Sequence, residues 1–470
     1  MKVMIGLETH VQLNTKTKMF CGCPIEGIND AEPNSRCCPI CLGMPGSKPR
    51  INKAAIEAGI KIALSLNCKI NPKIFFSRKT YLYPDMSKNF QITQFEVPLS
   101  NEGSLDIIDS KGKTKTIRLE RINMEEDPAK LQHIGGNITN AIYVLIDYNR
   151  SGIPLAEIVT KPDFSSPKEA RLFLQRLLAI LDYLKVFKIG ELSIKSDANV
   201  SIDGGERVEI KNITGFKEVE SALLYEIERQ KESTNRGEKI QRETRAWDEK
   251  AKITRSLRKK EFEEDYGYIF EPDLTKIEIT DKEIENIGKD LPELPHQKYE
   301  RYLKEFGISP EMASSIITDL DLALLYEDAV KKLDPKFAAT WINILKKTLF
   351  YNDVSLNETK LDNKIFFELL SLIKNSKITD RGGEMILREI VFKPEHFDDM
   401  VKKYSKIENE DIDIIVDEIL KKEYEAIKDV KKGNKKALEF LIGEVIRKTG
   451  KRVDGKTIRS VLKEKIKDIN

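Results

Sequence analysis

Three acidic groupings and one cysteine cluster are the places where this 470-residue chain carries side chains suited to chemistry. Near the start, Val3, Ile5, Leu7 and Val11 occupy odd positions, while Glu8, His10 and Gln12 occupy even ones. A strand's period of two places Glu8 and His10 side by side on one polar face. The second grouping is Met124-Glu125-Glu126-Asp127, after a segment with Arg118 and Arg121. The third is Glu157, the one carboxylate in Ile153-Pro154-Leu155-Ala156-Glu157-Ile158-Val159. Such a carboxylate is costly to bury without a cation or an arginine. Carboxylate oxygens with one imidazole suit magnesium or manganese better than zinc. Plainer readings stand beside these: a solvated turn for the acidic run, Arg150 as the partner of Glu157, and a satisfied surface histidine at residue 10.

Five of the six cysteines, Cys21, Cys23, Cys37, Cys38 and Cys41, fall within 21 residues. In a long, charged chain, clustered thiols point to a metal rather than to disulfides. Cys21 and Cys23 with Cys38 and Cys41 supply four soft ligands for a closed, structural zinc site. Cys37 is supernumerary, with a swap against Cys38 left open. Cys68 reads as a small core residue.

Missing motifs narrow the chemistry. Gly112-Lys113-Thr114 lacks the upstream glycine of a phosphate-binding loop, with Ile107 in its place. There is no nucleophile elbow and no single cysteine in a nucleophile-like context. Any use of ATP would lie outside the P-loop architecture, and ammonia release would fall to another protein. No apolar run long enough for a membrane span is present. The opening MKVMIGLETHVQL lacks a secretory pattern, so a cytoplasmic location is expected.

The elements that must hold these residues follow from pattern. Apolar residues make up 40% and charged residues 33%, an ordinary globular composition. The expected fold class is α+β: a mixed-sheet, cradle-like body over residues 1–293, an all-helical connector over 294–407, and a small helical tail over 408–470. Strands are expected at 141–148 and 207–211. Helices are expected at 54–66, capped by Asn52, and from Ser166-Pro167-Lys168-Glu169, with the glutamate closing a capping box. Further helices are expected at 221–231, 338–349, 366–373 and 435–449, the last stopping at Gly450. The acidic run Glu408–Asp413 reads as a linker. From Lys431 to Asn470 there are 13 Lys/Arg against 5 Asp/Glu, an excess of +8. That region is either a phosphate-binding surface or a solvated, lysine-rich helix face.

Several strings together carry a family resemblance: GLETHVQL at 6–13, CPICLGMPGSKP at 38–49, SRKTYLYPDMSKNFQITQ at 77–94, MEED at 124–127, DYNRSGIPLAEIVTKPD at 147–163, KSDANVSI at 195–202, VEIKNITGF at 208–216 and QRETRAWDE at 241–249. In this order the chain resembles the GatB family, the B-type subunits of tRNA-dependent amidotransferases, over essentially its whole length. The resemblance implies ATP-dependent phosphorylation of the side-chain carboxylate of misacylated Asp-tRNA(Asn) or Glu-tRNA(Gln), followed by amidation. It implies magnesium on Glu8, His10, Glu125 and Glu157. Arg78, Lys79 and Arg150 would neutralise phosphate, and Asp197, Asn199, Glu209 and Lys211 would line the same cradle. The implied partners are an amidase (the A-type subunit) that supplies ammonia, a small C-type subunit, and tRNA read by the basic tail. Departures from the family pattern include Thr9, Ala156, Lys161, Lys195 and the Gly267 of DYGYIFEPD. Two other functions remain in view: a non-catalytic, zinc-containing tRNA-binding scaffold, and a zinc hydrolase, which four thiolates disfavour by closing the metal.

Overall fold

The computed structural model describes residues 2–108, 113–135, 141–188, 190, 192–203, 205–259, 267–406, 409–431, 434–450, 452–453 and 455–468. Gly112, Asp265, Tyr266 and Glu408, which entered the readings above, lie outside them. The chain divides into two compact units, Met1–Lys298 and Tyr299–Asn470.

The strands are β1 (Val3–Gln12), β2 (Lys69–Ile70), β3 (Lys73–Ile74), β4 (Ser77–Thr80), β5 (Phe90–Thr93), β6 (Ser100–Ile108), β7 (Thr114–Glu126), β8 (Lys130–Ile134), β9 (Tyr143–Asp147), β10 (Pro154–Thr160), β11 (Ile194–Ile202), β12 (Val208–Thr214), β13 (Glu243–Asp248), β14 (Ile253–Lys259), β15 (Gly267–Phe270) and β16 (Ile277–Glu278). Nine of them form one sheet in the order β14-β13-β12-β11-β1-β10-β7-β6-β2. Among the described residues only β12 and β13 pair in parallel, so the sheet is mixed. Helices α1 (Lys53–Ser65), α2 (Pro167–Tyr183) and α3 (Phe216–Asn235) supply the other half of its core.

Alternation decides which face is which. Leu7, Val11, Ile122, Met124, Ala156, Ile158, Ala198, Val200 and Ile210 turn into the helices and join one buried cluster with Ile56, Leu177 and Leu223. Their neighbours along each strand therefore point to the opposite face. That face carries the acids.

The helix starts follow the capping residues. Asn52 accepts from the amides of Ala54 and Ala55 and opens α1. Ser166 caps α2 at Glu169, with Pro167 in the first turn. The expected capping box is altered: Glu169 accepts from the amide and hydroxyl of Ser165 and from Lys115 instead. β15, β4 and β5 form a three-stranded sheet, and β8 and β9 form a hairpin that exposes Ile142, Tyr143 and Leu145.

A further helix, α4 (Asp281–Lys289), closes the first unit, and α5 (Pro295–Lys304) contains the division. The second unit is built on α6 (Pro310–Ile316), α7 (Leu320–Val330), α8 (Pro335–Tyr351), α9 (Asn363–Lys374), α10 (Asp380–Ile390), α11 (Phe397–Tyr404), α12 (Asn409–Lys422), α13 (Tyr424–Lys431), α14 (Lys435–Lys448) and α15 (Gly455–Asp468). Residues 409–413, read as linker, open α12, because Ile412 and Val416 begin an apolar stripe. That stripe packs with Leu441, Val445, Ile458 and Leu462 into a core of its own. Gly450 follows α14 at φ +61°, a conformation that favours glycine. Among the described residues no helix is long and apolar enough to cross a membrane.

Candidate metal centre

Strand register brings the three acidic groupings together. Across β1 and β10, His10 faces Glu157, and across β1 and β11, Glu8 faces Asp197. Across β10 and β7, Glu157 faces Asn123 and Leu155 faces Glu125. Directly opposed residues in an antiparallel ladder share a face. Glu8, His10, Asp197, Glu157, Asn123 and Glu125 therefore form one patch from four adjacent strands.

The acidic run at 124–127 is no solvated turn. It is the end of β7, running into a short connection, and Glu125, Glu126 and Asp127 are all buried. Alternation gives each a different task. Glu126 points away from the patch, onto the Lys88 ammonium and the Ile92 amide. Asp127 accepts from the Gln12 amide at 2.6 Å, with the Arg150 guanidinium 3.5 Å away. Glu125 alone faces the patch.

The distances are those of a donor set closing on one point. His10 Nε2 lies 3.6 Å from Glu8 Oε1, 3.5 Å from Glu125 Oε1 and 3.8 Å from Glu157 Oε1. Ligand atoms of Glu8, His10 and Glu157 all fall within 4.8 Å of one another. Thr93 donates to Glu125 at 3.1 Å, and Asn123 donates to Glu157. The crowding shows in the acid–base balance. Burial, then the Glu157 charge, pushes Glu8 up to about 8 and Glu125 up to about 7. Burial lowers His10, but the charges of Glu125, Glu8 and Glu157 outweigh it and hold the imidazole at about 9. For Glu157, burial acts upward, yet His10, Glu8, Arg121 and Asn123 hold it below the ordinary range. Two carboxylates and one imidazole at these separations fit a hard divalent cation, which would displace protons on binding. Glu125, outside that group but 3.5 Å from His10, stands at its edge.

Cations fringe the patch. Lys79 on β4 is a half-buried amine whose charge acts on Glu125, Glu157 and Glu8. Lys211 lies 3.3 Å from Asp197 and 3.4 Å from Glu209, which itself accepts from Thr244. Asn199 faces Gly6 and Glu209, one step further along the ladder. The other two candidate cations sit elsewhere. Arg78 makes a two-pronged bond to the fully buried Glu271, reaches Asp273 at 3.3 Å, and lines a cavity of about 170 Å³ with Lys88, Glu126 and Cys41. Arg150 donates to the carbonyls of Pro128 and Ala129 and stands beside Asp127, so it is not the partner of Glu157. The arginine whose charge reaches Glu157 is Arg121. Asn123 was missed from sequence and Arg121 was noted without a role, although their spacings of two and four from Glu125 were the available signal.

The sulfur atoms of Cys21, Cys23, Cys38 and Cys41 form a second group within 4.8 Å of one another. Cys37 lies outside it, its thiol directed at Asn149. The Cys38 amide donates to Cys41 Sγ at 3.1 Å, the bond that orients a metal-binding knuckle. A hydrogen bond from Cys21 is the main influence drawing the Cys41 thiol down to about 4. Four thiols in this arrangement fit zinc with no position left open. Cys68 is buried in the main core, as expected.

A patch of metal-ligand type on the face of a mixed sheet limits the chemistry but does not specify it. Comparison with known proteins is decisive. Residues 3–285 match the family described as the GatB/GatE catalytic domain, and residues 324–466 match the GatB domain. The chain belongs to the GatB family of tRNA-dependent amidotransferases. Members of that family similar to it include the aspartyl/glutamyl-tRNA(Asn/Gln) amidotransferase B subunit of Methanospirillum hungatei, 44% identical over 99% of this chain and 98% of that one. The protein of the same name from Sulfolobus acidocaldarius is 42% identical over 99% of both chains. That from Thermotoga maritima is 40% identical over 95% of both. Glu8, His10, Glu125 and Glu157 all lie within the GatB/GatE match.

Proposed function

We propose that this GatB-family chain activates a tRNA-borne carboxylate and then amidates it. The substrate would be the side chain of Asp-tRNA(Asn), Glu-tRNA(Gln) or both. A carboxylate oxygen attacks the terminal phosphorus of ATP and ADP leaves; ammonia then attacks the acyl carbon and phosphate departs. The observation that carries this reading is that Glu8, His10 and Glu157 gather their ligand atoms within 4.8 Å, with Glu125 3.5 Å from His10, from three distant stretches of sequence.

Magnesium bound to those four side chains would supply charge neutralisation on the nucleotide's phosphates, which is most of what phosphoryl transfer asks of a protein. The chain's own residues do the remaining work. Lys79 presents an ammonium beside the same carboxylates, where negative charge builds on the transferred group. Asn123 and Thr93 fix the rotamers of Glu157 and Glu125. Asp197 and Glu209 orient Lys211 as a second cation. Arg78 and Arg150 hold the walls through Glu271 and Asp127. The four clustered cysteines bind zinc as a clip without a role in the reaction. Ammonia would come from an amidase partner, and a small third protein would complete the complex. Within the tail, residues 431–470, with 13 Lys/Arg against 5 Asp/Glu, would contact tRNA phosphates.

The test is Glu125→Gln in the complete complex, with free ammonium supplied. ATP-dependent phosphorylation of aminoacyl-tRNA should fall by at least about 100-fold while tRNA affinity is kept, as expected when a group is lost only from the transition state. Turnover at the normal rate would remove the assignment.

A further inference from the structure

Lys18 is a buried charge that the reaction does not use. Its side chain is fully enclosed, at 0% exposure, among the largest buried side chains of the protein. An ammonium so placed is costly unless its three donors and its charge are answered. Two donors are answered by backbone: Lys18 Nζ lies 2.8 Å from the Arg36 carbonyl and 3.3 Å from the Tyr148 carbonyl. The third neighbour is Cys41 Sγ, at 3.8 Å. Carbonyls satisfy hydrogen bonds but bring no negative charge; among the described contacts of Lys18, Cys41 Sγ is the atom that can carry one.

We infer that Lys18 is the counter-ion of the four-cysteine zinc site and ties that site to the turn that leads into β10. Four thiolates around one divalent zinc carry a net negative charge of two, which is costly to half-bury and is eased by N–H donors and by a nearby cation. Lys18 and the zinc thiolates therefore complete each other. The surrounding chain is shaped for this contact. Gly152 turns with φ +89°, and a Cβ there would meet Lys18 Cδ at 3.3 Å. Asn149 accepts from the Arg36 amide at 2.7 Å and donates to the Glu32 carbonyl at 2.8 Å, closing the same knot from the other side. Seven residues after Arg150 comes Glu157, so the clip is linked to one of the cradle's own strands.

The inference rests on reading the four cysteines as a zinc site. It is tested by zinc affinity of the full chain, measured at fixed pH in competition with a colorimetric chelator. Lys18→Met, which keeps the length and removes the charge, should bind zinc about 10- to 100-fold more weakly than wild type, the usual loss for a residue behind the ligands. Equal affinity overturns the inference. Should that variant not fold, the wild type decides. An amine-acylating reagent, read by mass spectrometry at Lys18, should leave it unlabelled with zinc and label it once zinc is extracted; labelling that is the same in both states overturns the inference. A wild-type chain that binds no zinc sinks the reading of the cysteines themselves, which is distinct from wild type and variant binding alike.

Discussion

Neighbouring carboxylates of one short run have separate fates because a strand alternates. Glu125 faces the cradle, Glu126 anchors Lys88, and Asp127 holds Gln12 and Arg150. The sequence offered good grounds for pairing Glu8 with His10, since a period of two is visible in ten residues. It offered grounds for noticing Glu157, a lone acid among apolar neighbours. It could not rank three consecutive acids without knowing that β7 continues to Glu126, and there the family resemblance did the selecting. Nor could it foresee Glu271 as the partner of Arg78, because the two are 193 residues apart. The Asp127 assignment makes a prediction. Asp127→Ala leaves a buried Gln12 amide without its acceptor and takes the carboxylate from beside Arg150, which keeps its two carbonyl bonds, so it should cost about 1–3 kcal/mol. The chain has two tryptophans, Trp247 and Trp341, on either side of the division at 298/299. In a Trp341→Phe background, Trp247 fluorescence should report the loss as a lower denaturant midpoint for the first unit; an unchanged midpoint would show Asp127 to be idle.

At the level of elements, capping residues at α1 and α2 and apolar periodicity elsewhere located six helices, α3 five residues short at its start, and did not mark α4–α7, α10–α13 or α15. α1, α8, α9 and α14 begin and end close to where their patterns place them, because Asn52, Asp334, Asp362 and Asn434 each accept from first-turn amides. The acidic stretch that opens α12 misled, since charge on a helix's first turn looks the same as charge in a linker. Sheet order was beyond reach: the parallel pairing of β12 with β13 is set by packing around α3, not by any local signal. The start of α2 offers a test with a definite sign. Burial acts upward on Glu169, but Lys115 and the Ser165 amide hold its carboxyl below the ordinary range. A depressed folded value means that its contribution to stability is complete above the ordinary carboxylate range and is lost as pH falls through the folded value. Glu169→Gln should therefore destabilise the first unit by about 0.5–1 kcal/mol at neutral pH, with the difference fading in acid. A difference that grew in acid would reverse the assignment.

For the whole molecule, a sheet with one greasy face and one acidic face is the arrangement from which everything else follows. Helices seal the apolar side, and the opposite side is left to gather acids from β1, β7, β10 and β11 and cations from β4 and β12. The α+β class and the change to helices beyond about residue 294 could be read from the texture of the sequence. The convergence of residues 8, 125 and 157 could not, because it depends on which strands become neighbours. The most direct measurement is anomalous scattering from crystals grown with manganese and a non-hydrolysable ATP analogue. A single manganese peak bounded by Glu8, His10, Glu125 and Glu157, with the analogue's terminal phosphate toward Lys79, is the predicted result. Manganese bound elsewhere, with those four side chains making no contact to it, would contradict the account.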